Sequence, residues 1–203
     1  MSVLVFAESS EGKFKKSSFE LTSYGKKVAE QLGTNLVVLT INATENETLY
    51  KYGAEKVLQV TSEVLATFNA KKVANVLKQA AEKENSKVVI IDSNANGLYL
   101  APLVAVNLSA GFASNVIALP SSTSPFTVKR KVFSSKAFNN CEISTDVKVI
   151  TLAKNSYGVF ESASAATEED FVPSLNDADF NVKVESVEKS TGKVTIADAD
   201  VVV

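Results

Sequence analysis

Two stretches of this chain carry side chains whose chemistry goes beyond packing. The first is Lys129-Arg130-Lys131, with Lys136 close behind. It holds the only arginine in 203 residues and alternates with Val128, Val132 and Phe133. In a strand this alternation puts Lys129 and Lys131 on one face and Arg130 on the other. Lysines commonly protect a sheet edge from aggregation, which makes a solvated edge the plainer reading. The alternative makes Arg130 an ion-pairing contact to another protein, because its planar fork suits bidentate pairing at interfaces. The second stretch is Asp92 followed by Ser93-Asn94-Ala95-Asn96-Gly97, a strand end that runs into a loop rich in donors. Exposed N–H groups at a helix start would suit a phosphate there. The chain nevertheless has no GxGxxG and no GxxxxGK[ST], and Asn, Ser and Gly are also the ordinary residues of turns. Glu8–Gly12 offers the same geometry with more negative charge.

Other chemistries are removed by composition. There is no histidine and one cysteine, Cys141, so an internal disulfide, a Cys/His zinc site and both Ser-His-Asp and Cys-His catalysis are excluded. Cys141 lies in a strand-like stretch, where a free cysteine is usually a small buried hydrophobe. Glu168-Glu169-Asp170 reads as a solvated acidic arm, and no acid/base pair is nominated by spacing. A net charge of -2 and a pI near 5.4, with no long basic run, argue against nucleic acid as a partner. The apolar runs are strand-length, too short to cross a bilayer. Val3, Leu4, Val5 and Phe6 follow Met1 with no basic region or Arg-rich leader ahead of them, so a cytoplasmic protein is expected.

The elements that would position these residues follow from periodicity. Ser2–Ala7, Asn35–Ile41, Lys56–Val60 and Lys87–Ile91 read as buried strands. Between them, Leu21, Tyr24, Val28 and Leu32 define one helical face, and Val73, Val76, Leu77, Ala80 and Ala81 another. Ser17 with Glu20 predicts a capping box for the first helix, Gly33 its stop, and Thr48–Tyr52 a short helix ending at Gly53. Strands alternating with helices predict a doubly wound, mainly parallel sheet. After a further helix at Leu100–Leu108, the pieces Asn115–Leu119, Thr127–Phe133, Ala137–Ile143 and Lys148–Leu152 follow at short intervals, with no helix between the last three. They predict a small antiparallel element appended to the core. From Tyr157 the pattern thins into an arm whose last strand is expected at Asn181–Glu188. Ala199–Val203 reads as the opening of another buried strand. The expected organisation is therefore an α/β domain over 1–157, an arm over 158–198, and the start of a second domain at 199–203.

The segment NGLYLAPLVAVNLSAGFASNVIAL, Asn96–Leu119, resembles a block of the electron-transfer flavoprotein alpha family. There a Gly-x-x-Leu-Ala-Pro helix start leads through an Ala-Gly turn into a strand. Gly97, Leu100, Ala101, Pro102, Ala110 and Gly111 fall where that pattern wants them. VLVFAE (Val3–Glu8), YGAEKV (Tyr52–Val57) and KVIT (Lys148–Thr151) resemble further blocks in the same order, so the resemblance covers nearly the whole chain. Leu103 stands where arginine is expected, Ser135 where glycine is usual, and Ala153-Lys154 where Arg-Pro is common. The resemblance implies a Rossmann-like amino-terminal domain of a heterodimer. FAD would sit in a separate carboxy-terminal domain beyond Val203 and carry electrons from acyl-CoA or other dehydrogenases to a quinone reductase or another acceptor. No FAD contact and no catalytic residue is assigned within this chain. The implied role is docking of a beta subunit. Phe126, Arg130, Phe133, Lys136 and Phe138 are the expected contacts, because aromatics and arginine dominate interfaces. The competing expectation is a universal-stress-protein-like domain with an adenine nucleotide in the Asp92–Gly97 cleft.

Overall fold

The computed structural model describes residues 1–187. Strand β1 (Ser2–Ala7) leads through a short antiparallel pair, β2 (Ser9–Ser10) and β3 (Lys13–Phe14), into helix α1 (Lys16–Leu32). Then come β4 (Asn35–Ile41), a 3-10 turn at Asn46–Tyr52, β5 (Lys56–Val60), α2 (Ala70–Lys83), β6 (Ser86–Asp92) and α3 (Ala95–Asn107). β7 (Gly111–Val116), β8 (Ser122–Thr123), β9 (Phe126–Val132), β10 (Ala137–Ile143) and β11 (Lys148–Leu152) complete the body. The chain continues through β12 (Thr167–Asp170) and a 3-10 turn at Asp177–Phe180.

Apart from the β2–β3 pair, the strands form one sheet in the order β10-β9-β7-β11-β6-β1-β4-β5-β12, with β8 paired to β9. From β7 to β12 all neighbours run parallel, and β9 and β10 close one side antiparallel. Such a sheet must be covered on both faces, because its crossovers lie over them. Accordingly every residue of β1 is buried. Val3 and Val5 join a core cluster with Tyr24 and Val28 of α1, while Leu4 and Phe6 join one with Leu77 of α2 and Leu100 of α3. The α/β architecture expected from the alternation is present.

Four details differ from expectation. The capping box is absent: α1 begins at Lys16 behind an N-cap residue, Lys15, that makes no side-chain cap bond. Glu20 is instead buried against a distant loop, where unpaired N–H groups need an acceptor more than an exposed helix end does. Helix α3 starts at Ala95 rather than Leu100, and β7 occupies Gly111–Val116 rather than Asn115–Leu119. Here small residues hid the periodicity and Asn115 turns left-handed at φ 56°. β11 does not belong to the antiparallel element but lies between β7 and β6 in the parallel core. The β8–β10 excursion is itself the crossover that a parallel pair requires, so no helix is needed before it. Finally, residues 158–187 are not a free linker. β12 adds to the sheet edge at β5, the acidic stretch is that strand, and residues 181–187 form none. Residue 188, the remainder of the expected arm and the strand expected at Ala199–Val203 lie outside the described residues.

Candidate functional site

The chain visits β1, β4 and β5 on one side of the sheet before β6 begins on the other side of β1. The carboxyl ends of β1 and β6 therefore mark the switch point where doubly wound folds hold ligands. The loops at Glu8 and Asp92 meet there and satisfy one another. Asn94 Nδ2 donates to Glu8 Oε2 at 2.8 Å and to Asp92 Oδ2 at 3.1 Å, and Asn96 Nδ2 donates to Glu8 Oε1. Asn94 Oδ1 caps α3 by accepting from Gly97 N at 2.8 Å. Gly97 is required, since a Cβ at that position would lie 1.7 Å from the Asp92 carbonyl oxygen. Burial holds the Asp92 carboxyl above its ordinary range. Glu8 adds to this, and a Ser17 hydrogen bond, the Lys154 charge and Asn94 oppose it. Two carboxylates thus occupy the crevice, with the first-turn donor Gly97 N already spent. These residues do not fit a nucleotide phosphate or the pyrophosphate of a flavin dinucleotide.

The β9–β10 hairpin is different. Phe126 is only 2% exposed and belongs to the α1-side core, so its side chain is withdrawn from the expected contact set. Val128 lies beside it in that core. Arg130, two residues on, is half-buried and pairs in register with Val116. One guanidinium nitrogen donates to Ser114 Oγ at 2.9 Å, while Nε is enclosed without a partner. Phe133 and Phe138, by contrast, are 77% and 60% exposed. Lys129 Nζ sits 4.9 Å from the Phe138 ring centre and Lys136 Nζ 5.9 Å from that of Phe133. Phe133, Ser134 and Ser135 all have positive φ, which throws the turn and its aromatic outward. Among the described residues β10 has a neighbour on one side only, β9, so its other edge is unpaired. The result is two exposed aromatics with paired lysines along an open strand edge.

Two features escaped the sequence reading. The Glu20 carboxylate accepts the N–H groups of Asn155, Tyr157 and Gly158 at 2.9, 2.8 and 3.0 Å, and so anchors the start of the arm on α1. Ser23 and Phe160 exchange reciprocal bonds beside it, and Tyr24 Oη donates to the Ala118 carbonyl. Farther along the arm, Glu169 of β12 bridges Lys56 at 2.7 Å and Lys83 at 2.6 Å. Those two lysines pull its carboxyl down to about 2. The second feature is the outer surface of α3, where Leu98, Tyr99, Leu103 and Val106 are exposed. Its signal was legible: ANGLYLAPLVAVN contains no charged residue, and a helix apolar all round is normally covered.

Comparison with known proteins gives a consistent answer. The family model for the electron transfer flavoprotein domain matches residues 3–179. The electron transfer flavoprotein subunit alpha of Bacillus subtilis is 28% identical over 207 residues, covering 99% of this chain and 62% of its own length. The subunit of the same name from Clostridium acetobutylicum is 35% identical over 120 residues, 58% of this chain and 36% of the relative. The acryloyl-CoA reductase electron transfer subunit beta of Anaerotignum propionicum is 31% identical over 116 residues, 56% and 32% respectively. The chain thus spans less than two thirds of the length of these curated relatives.

Proposed function

Because this chain belongs to the electron transfer flavoprotein domain family, we propose that it serves as the amino-terminal, subunit-docking part of an alpha-type electron carrier. In this reading a beta-type subunit seats on the β9–β10 hairpin, and the FAD of the assembled protein is held by polypeptide other than residues 1–187. The flavin supplies the electron-carrying chemistry, while the residues described here hold the scaffold and the partner. Electrons pass from acyl-CoA or other dehydrogenases to a quinone reductase or other acceptor, in the cytoplasm, and the chain acts as a carrier rather than a catalyst.

The observation that carries the docking role is the open edge of β10 with Phe133 and Phe138 exposed beside it. An unpaired strand edge can be completed by another chain, and aromatic anchors supply the area that makes such contacts specific. Arg130 lies one strand in from this edge, on β9, its Nε enclosed without a partner; the guanidinium is the group suited to pair with a carboxylate of the docked subunit. The crevice between β1 and β6 supports no competing nucleotide role, for the electrostatic reason given above.

The test is co-expression of full-length alpha-type and beta-type subunits followed by size exclusion, with wild type, Phe138→Asp and Arg130→Glu. Wild type co-elutes with its partner. Phe138→Asp should weaken the complex by tenfold or more, which is about 1.4 kcal/mol or beyond. Equal co-elution of all three would remove the hairpin from the interface.

A further inference from the structure

α2 and α3 pack side by side, but their outward surfaces diverge and leave a cavity of about 740 Å³ between them. The volume is in the range of small-molecule sites, roughly 300–1,000 Å³. On the α2 wall Ala74 and Lys78 are four residues apart, and on the α3 wall Tyr99 and Leu103 repeat at the same interval. Each pair is therefore a stripe along one helix face. Phe68 contributes at one end. The third wall is the arm, which sends Val182 and Val184 into the cavity at a spacing of two. The arm is held in place at several points: Asn69 Nδ2 donates to the Val182 carbonyl at 2.9 Å, Lys71 Nζ to the Ala178 carbonyl at 2.7 Å, and Asn75 Nδ2 to Asp179 Oδ2 at 2.6 Å.

Charge on the lining is uneven. Asp179 is engaged by Asn75 and by the Asn176 N–H at 2.8 Å, and Lys71 is engaged by the arm carbonyl. Lys78 has a loose surface pair, 3.8 Å from Glu82. A solvated cation therefore stands at the mouth of an apolar space, with Tyr99 and Asn107 on the opposite wall. Leu103 sharpens this chemistry, since the resembled pattern has arginine at its position and the leucine makes the α3 wall apolar.

We propose that this cavity binds a long-chain monocarboxylate, its alkyl body against Leu103, Val182 and Val184 and its carboxylate beside Lys78. Burial of methylenes supplies the affinity, and the lysine selects the sign of the head group. The site lies on the α2–α3 face, and its occupancy is independent of the partner docking proposed for the hairpin.

The test is titration calorimetry of the full chain with octanoate, decanoate and dodecanoate, all below their micelle concentrations, and with dodecylammonium as the charge-reversed probe. Wild type should bind dodecanoate saturably at one site, with affinity rising on the order of fourfold per methylene buried. Lys78→Glu should weaken dodecanoate about tenfold and strengthen dodecylammonium, a crossing that loss of structure cannot produce. Leu103→Asp should weaken dodecanoate by more than tenfold with the fold intact by circular dichroism. Absence of saturable binding, or indifference of both probes to the Lys78 reversal, would overturn the proposal. Tighter binding of the chain to phosphatidylglycerol vesicles than to free dodecanoate would overturn it in favour of a membrane surface.

Discussion

At the scale of single residues, Glu20 departs furthest from its local context. Its position within the first helical turns suits a capping carboxylate, yet it satisfies three backbone N–H groups from residues 155–158. A charged acceptor is worth about 1.5–3 kcal/mol per hydrogen bond, and an abandoned buried donor costs about 1–3 kcal/mol. Glu20→Ala should therefore lower unfolding stability by about 3 kcal/mol or more, read from denaturant midpoints at neutral pH. Glu20→Gln should cost less, because one acceptor oxygen remains. A loss below about 1 kcal/mol for the alanine variant would mean that water replaces the carboxylate. Nothing in the local sequence could announce this role, since its partners lie 135 to 138 residues away.

At the scale of elements, β12 is the strand held most by charge and least by core. Among the described residues only its neighbour β5 pairs with it, and Glu169 clamps it to Lys56 and Lys83. The Glu169 carboxyl falls from an ordinary 4.5 to about 2, so its contribution is full above the unfolded value and is lost as pH drops from about 4.5 to about 2. Hydrogen exchange should show Thr167–Asp170 losing protection across that window before β1 or β6 does. Glu169→Gln should flatten the effect, and added salt should weaken it. Uniform loss of protection across the sheet would instead indicate global acid unfolding. The parallel strands β1, β4, β5 and β6 were legible because runs such as LVVLTI and KVVIID have one interpretation in a doubly wound layer. β12 was not, because TEED carries the composition of a loop, and it becomes a strand through the backbone ladder with β5 and the lysines supplied by β5 and α2. The docking hairpin was half legible. Alternation separated Arg130 from its flanking lysines, but it could not distinguish Phe126, which turns into the core, from Phe133 and Phe138, which do not.

At the scale of the whole molecule, the exposed aromatics of the hairpin edge and the exposed apolar outside of α3 lie at separate places on the sheet layer. Surface substitutions away from buried groups usually change stability by less than about 0.5 kcal/mol. Phe133→Ser and Phe138→Ser should therefore leave the unfolding midpoint of the chain unchanged while diminishing partner capture. A large stability loss would mean that the aromatics serve the fold and not an interface. The position of β11 has a further consequence, in time rather than in space. The block β5-β4-β1-β6 uses only residues up to Asp92, but β7 cannot join it until β11 is available to lie between them. Leu152 follows Asp92 by about 60 residues. At ribosomal speeds that is a wait of roughly 3–12 s. Throughout it the Val88–Asp92 edge of β6 faces its surroundings unpaired, a template for any other nascent strand. The half of the molecule that carries the proposed partner surface thus joins the layer only once β11 is made, with β12 left to add at the far edge.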